Sequence, residues 1–170
     1  GWIALELAAR GRAKSLVLLS PAGGWQDRPP AAMRTYKGFR RSQWMMKNHL
    51  QRALWMIKRP GTRKMALRDV VADGSKIPAQ TAAWMIRSAA NCPAAGPLLD
   101  QADVDGWPDL EPFDVPVRIV WGSKDRILPK RHLSARFHEI LPDAEWLDLD
   151  GIGHMPQIEC PEETARLTLE

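Results

Sequence analysis

Long apolar runs are missing from this chain of 170 residues, and so are most of the residues that build covalent or metal-bound scaffolds. No stretch approaches the roughly eighteen uninterrupted apolar residues of a membrane span, so no transmembrane segment is expected. The opening GWIALELAARGRAKS has no basic stretch leading into a small-residue cleavage site, which leaves secretion unsupported. It begins with Gly1, already inside an amphipathic pattern, so the natural N-terminus is expected upstream. The only two cysteines, Cys92 and Cys160, have neither metal-ligand nor redox spacing, and both read as reduced thiols of a cytoplasmic protein. Acid is missing from one region: twelve of the 24 Lys and Arg residues lie between Arg28 and Arg68, where no Asp or Glu occurs. What remains, 45% apolar and 26% charged, is the composition of a globular domain with a sizeable core, which excludes disordered and collagen-like classes.

The basic block has two readings. It attracts an anionic partner, whether a membrane surface, a nucleic acid or an acidic substrate, or it is the solvated face of a helical region. Trp44, Met45, Met46, Leu50, Leu54, Trp55, Met56 and Ile57 make the block apolar as well as basic, which favours the solvated face. No nucleic-acid-binding signature accompanies it, so no nucleic-acid partner is expected.

Periodicity divides the chain. Residues 2–10 carry Ile3, Leu5, Leu7 and three alanines ahead of Gly11, which predicts a short buried helix closed by glycine. SLVLLS, Ser15 to Ser20, is a continuous apolar run bounded by turn residues, the pattern of a parallel strand covered on both faces. From Trp25 to about Pro97 the texture is helical. Met46, Leu50, Leu54 and Ile57 fall on one stripe, and Thr81–Ala90 predicts a further helix. Such a Met and Trp stripe is first of all core; its sharper reading is a deformable apolar lining for a hydrophobic substrate, with Met46, Trp55 and Trp84 as candidates. Strand character returns at VPVRIVWGS. A helix is predicted over RHLSARFHEILP, with Leu133, Phe137, Ile140 and Leu141 inward, then a strand in AEWLDLDG and a last helix from Pro161. Glu162 and Glu163 suit the first turn of that helix. The order is helix, strand, helical insert, strand, helix, strand, helix. It specifies an α/β fold with a parallel sheet and helices on its faces.

Two polar residues follow the later strands. Asp125, in WGSKDRILP, and His154, in GIGHMPQIECPEE, both lie just beyond the carboxyl ends of neighbouring strands, where open parallel sheets place their sites. A carboxylate on one imidazole nitrogen fixes the tautomer and leaves the other nitrogen to take a nucleophile's proton. Singly, Asp125 reads equally well as a turn residue or helix cap.

These segments resemble the C-terminal part of an α/β-hydrolase of the serine-hydrolase superfamily. VPVRIVWGSKDRILP is similar to the strand and loop bearing the catalytic acid, which implies Asp125 for that role. GIGHMPQIECPEE is similar to the segment bearing the general base, which implies His154, with Glu159 and Pro161 also matching. GWIALELAARGRAKSLVLLSPAG resembles the helix and strand after the nucleophile elbow. The resemblance implies hydrolase core in residues 1–24, a helical cap in 25–97, and hydrolase core with the acid and base loops in 98–170. It implies no metal and no organic cofactor, and as partner a small-molecule substrate, apolar or acyl.

The elbow G-x-S-x-G itself is not in the chain. Gly1 resembles the glycine that follows it, which puts the nucleophile about three residues upstream. Ser15, Ser20 and Ser123 lack the glycine pair an elbow needs. The reading is therefore a fragment, inactive alone, of an enzyme that hydrolyses an ester, thioester or other small acyl compound. Alternatives are a dehalogenase or epoxide hydrolase with an aspartate nucleophile, a ligand-binding member of the fold, and a basic membrane-surface or partner-binding module.

Overall fold

The computed structural model describes residues 1–25, 30–98, 100 and 113–169. They form two compact units, one comprising residues 1–29, 69–72 and 107–170, the other residues 30–68 and 73–106. Residues 69–72 group with the first unit, while the segments on either side of them group with the second.

The first unit is built on a three-stranded parallel sheet. Strands β1 (Leu16–Leu19), β2 (Val117–Gly122) and β3 (Glu145–Leu149) lie in that order, with Leu18 opposite Ile119 and Val120 opposite Leu147. Ile119, Val120 and Trp121 are wholly buried, as expected of a central parallel strand covered on both faces. At the edge, β3 is less buried, with Glu145 and Asp148 exposed and Trp146, Leu147 and Leu149 half-buried. Arg118 fastens this edge: its Nε donates to Glu145 at 2.7 Å and its Nη1 to the Leu167 carbonyl at 2.6 Å.

Helix α1 (Trp2–Ala9) precedes β1 and gives way at Gly11, whose φ of +64° is the left-handed turn that glycine adopts freely. It is only partly buried. Leu5 and Ala8 face the core, while Ile3 and Leu7 are exposed.

The second unit contains α2 (Pro30–Asn48), α3 (Leu50–Met56), α4 (Pro60–Ala66) and α5 (Ala79–Ala90). The predicted stripe from Met46 to Ile57 does not lie on one helix, because the chain bends at His49 between α2 and α3. Nor is the Met and Trp content mainly core. Buried positions go to smaller or aliphatic side chains such as Ala32, Ile57, Leu67, Ala82 and Ile86, leaving Trp44, Met45, Trp55 and Trp84 on outer faces. One residue of the basic block is not solvated: Arg63 is buried and donates to the carbonyls of Ile57 at 2.9 Å and Lys58 at 3.0 Å, meeting the orphan acceptors at the end of α3.

Between β2 and β3 the predicted single helix is two, α6 (Lys130–Leu133) and α7 (Ala135–Ile140), parted at Ser134, whose hydroxyl turns back to the Lys130 carbonyl at 2.7 Å. The inward face holds: Leu133 and Phe137 are fully buried. After β3 come α8 (Pro156–Glu159), which periodicity did not reveal, and α9 (Pro161–Leu169). Glu163, in the first turn of α9, is hydrogen-bonded by Arg166, and that bond holds its carboxyl below the ordinary range. Among the described residues no helix is long and apolar enough to cross a membrane.

Candidate active site

The turn after β2 is made by Asp125 itself. Its backbone N–H reaches the Gly122 carbonyl at 3.1 Å, and its Oδ1 accepts from the N–H groups of Ile127 at 2.9 Å and Leu128 at 2.8 Å. The far end of the loop is pinned where the buried Trp121 indole donates to the Leu128 carbonyl at 2.8 Å. This is the turn-residue reading of Asp125, and it consumes only one carboxylate oxygen. The other, Oδ2, lies 2.8 Å from His154 Nδ1. One carboxylate thus shapes the turn through Oδ1 and reaches the imidazole through Oδ2.

A carboxylate can only accept, so Nδ1 donates, and in the neutral imidazole Nε2 is then the nitrogen with a lone pair. Among the described residues no hydrogen bond engages Nε2. Burial divides the pair to match: the Asp125 side chain is 1% exposed, the His154 side chain 23%. The carboxylate is thus shielded from competing water, while the imidazole edge is open to a reactant.

Hydrogen bonds from several segments hold the histidine loop. The His154 N–H donates to the Val70 carbonyl at 3.0 Å. Glu159, on α8, accepts from Gly153 N–H through Oε2 at 2.6 Å and from Ala72 N–H through Oε1 at 2.8 Å, so one carboxylate ties the loop to residues 69–72. The Ile152 carbonyl receives the Lys124 N–H at 2.8 Å, joining the histidine loop directly to the acid loop. Close backbone approach is required here. A Cβ on Gly122 would lie 2.1 Å from the Gly153 carbonyl oxygen, and one on Gly153 would lie 2.7 Å from the Ala72 nitrogen.

Glu159, Gly122 and the 69–72 segment escaped sequence reasoning as positioning elements. The one signal for Glu159 was its match to the pattern after the histidine. Two of the serines singled out in the sequence have the following surroundings. The Ser123 hydroxyl is engaged, donating to Asp150 at 3.0 Å and accepting from Gly151 N–H at 2.9 Å. Ser20 is buried at the end of β1. Among the described residues no cluster could hold a metal ion.

Met46, Trp55 and Trp84 lie in the second unit. Met46 is half-buried on α2; Trp55 is 60% exposed with the Arg59 guanidinium 5.3 Å above its ring; Trp84 is 61% exposed on α5. A cavity of about 650 Å³ in that unit is lined by others, among them Arg40, Trp44, Lys47 and Asn91.

A parallel sheet with a carboxylate–imidazole pair at the carboxyl ends of adjacent strands defines a protein of the hydrolase-fold class. The Alpha/beta hydrolase family model matches residues 1–167, and the chain belongs to that family. It is 35% identical over 166 residues to Epoxide hydrolase EphH of Mycobacterium tuberculosis, a match covering 95% of this chain and 76% of that protein. Among solved structures it resembles the 2-hydroxy-6-oxo-6-phenylhexa-2,4-dienoate hydrolase of Rhodococcus sp. strain RHA1, with a TM-score of 0.66, 18% identity and coverage of 98% of this chain and 58% of that one. It also resembles a putative lipase from Acinetobacter baumannii AYE, with a TM-score of 0.64, 21% identity and coverage of 98% and 55%. The chain therefore spans little more than half the length of these solved structures, and at such identity they speak to the fold alone.

Proposed function

We propose that this chain belongs to an enzyme that hydrolyses a small ester, thioester or similar acyl compound through a covalent acyl-enzyme. Asp125 orients His154, and His154 moves the protons. The observation that carries the reading is the 2.8 Å contact between Asp125 Oδ2 and His154 Nδ1, which leaves Nε2 as a free base. In the first step Nε2 takes the nucleophile's proton as the nucleophile adds to the carbonyl carbon, and the imidazolium then protonates the departing alcohol or thiol. In the second it takes a proton from water, which attacks the acyl-enzyme, and returns it to the nucleophile. The nucleophile belongs, by the resemblance, in the elbow before Gly1. No cofactor enters the scheme.

The 35% identity to an epoxide hydrolase, in a match covering 95% of the chain, favours one second reading: an aspartate nucleophile opens an epoxide, whose ring oxygen takes a proton from water as the C–O bond breaks, and His154 acts only on the water that cleaves the resulting alkyl-enzyme ester. His154→Ala in the full-length protein separates the two. With a serine nucleophile both steps need the base, so the variant should give neither burst nor turnover on an aryl acetate. With aspartate the first step proceeds without it, and the variant should show one stoichiometric burst on an epoxide and then stall. Steady turnover of either substrate by His154→Ala would remove His154 from the mechanism.

We assign Met46, Trp55 and Trp84 to the apolar wall of the acyl site, on the strength of their size, their adaptability and the exposure of the two indoles. Reducing each to alanine should shift the preferred acyl chain length among aryl esters, read as a change in the ratio of kcat/KM values. A uniform loss on every ester together with a lower Tm would show them to be structural.

A further inference from the structure

We infer that the outward face of α2 is a docking surface for an anionic phospholipid bilayer, a role separate from the hydrolytic chemistry. Helix α2 is amphipathic in an unusual sense. Its inner face is Ala32, Thr35, Tyr36, Ser42, Gln43 and Met46, all buried or half-buried. Its outer face, at the i, i+3, i+7, i+10 spacing of one helical stripe, is Arg34, Lys37, Arg41 and Trp44, flanked by Met45 and Lys47, and all six are exposed.

Charge and apolar exposure coincide on this face. Helix α2 contains no acidic residue. Arg40 is paired with Asp100 at 3.0 Å, but among the described residues Arg34, Lys37, Arg41 and Lys47 make no salt bridge. Between these cations Trp44 is 64% exposed and Met45 is 53% exposed. A helix that only needed solubility would gain nothing from an indole and a thioether in water. A cationic stripe holding a tryptophan is what an interfacial surface requires: Lys and Arg meet lipid phosphates, and the amphipathic indole settles at headgroup depth. Neighbouring anionic headgroups would meet four cations that have no salt-bridge partner among the described residues. A nucleic acid would also meet the charge, but the unbranched, apolar Met45 beside Trp44 favours acyl chains over stacked bases.

The test is flotation of the chain with vesicles of phosphatidylcholine alone and of phosphatidylcholine mixed with phosphatidylglycerol, at low and high salt. The chain should float with the mixed vesicles and not the neutral ones, and salt should weaken the binding. Replacing Lys37→Glu with Arg41→Glu should lower partitioning at least about tenfold. Trp44→Ser with Met45→Ser should lower it several-fold and abolish a blue shift of tryptophan emission on vesicle addition. These side chains are exposed, so melting curves should match the parent; if the glutamate pair fails to fold, Lys37→Gln with Arg41→Gln makes the same comparison. Failure to bind mixed vesicles at low salt, binding unaffected by both pairs, or binding of a single-stranded DNA oligonucleotide that vesicles do not displace would each overturn the inference.

Discussion

Asp125→Asn should lower kcat for ester hydrolysis by about four orders of magnitude while leaving KM and Tm nearly unchanged, the magnitude seen in serine proteases when the same exchange reverses the histidine tautomer. The geometry explains why the loss is chemical. Asn keeps an oxygen at Oδ1, so the N–H groups of Ile127 and Leu128 retain their acceptor and the loop after β2 keeps its turn. Its amide nitrogen then takes the place of Oδ2 and donates to His154 Nδ1, which must become an acceptor. The proton moves to Nε2, where the base is needed. Asp125→Ala should behave differently, because it leaves two buried N–H groups unpaired at about 1–3 kcal/mol each and lowers stability along with rate. Stopped assays and thermal melts on both variants make the comparison. An Asn variant with parental kcat would show that the pair seen here does not carry the reaction.

Gly122→Ala should be the most destabilising single methyl in the first unit. The added carbon would stand 2.1 Å from the Gly153 oxygen, 2.5 Å from the Ile152 oxygen and 2.9 Å from the Ile152 carbon, all backbone atoms. No rotamer can relieve such a clash, so β2 and the histidine loop must part, breaking the bond from Lys124 N–H to the Ile152 carbonyl. A loss above about 4 kcal/mol is expected, the range reserved for a few drastic mechanisms. Gly61→Ala is the control, since a Cβ there meets nothing within 4 Å and alanine favours its helix. Urea midpoints of the two variants test this; equal midpoints would mean that the close approach is not needed.

Strand β2 was legible in the sequence because its β-rich run is stopped by Gly122, and the loops after β2 and β3 because a carboxylate and a histidine at strand ends are conspicuous against turn residues. The breaks at His49 and Ser134 were not, since the apolar spacing continues across both. Burial of the tryptophans was misjudged for a related reason: composition cannot distinguish an indole packed inward, such as Trp121, from one facing water, such as Trp84. The role of Glu159 could not be derived from local pattern at all. Its two hydrogen-bond partners, Gly153 and Ala72, lie 6 and 87 residues away, and the second leaves no trace in any window of the chain.

That same carboxylate gives the site a place in the order of folding. The acid loop closes through bonds two and three residues long, which form as soon as β2 ends. The histidine loop is completed by a bond spanning 87 residues, whose closure entropy must be met by contacts already made elsewhere. Half of the acid–base pair is therefore set by local chain geometry, and the other half only once distant segments have met. Under the proposed mechanism, ordering of the base is thus tied to completion of the fold, while ordering of the aspartate is not.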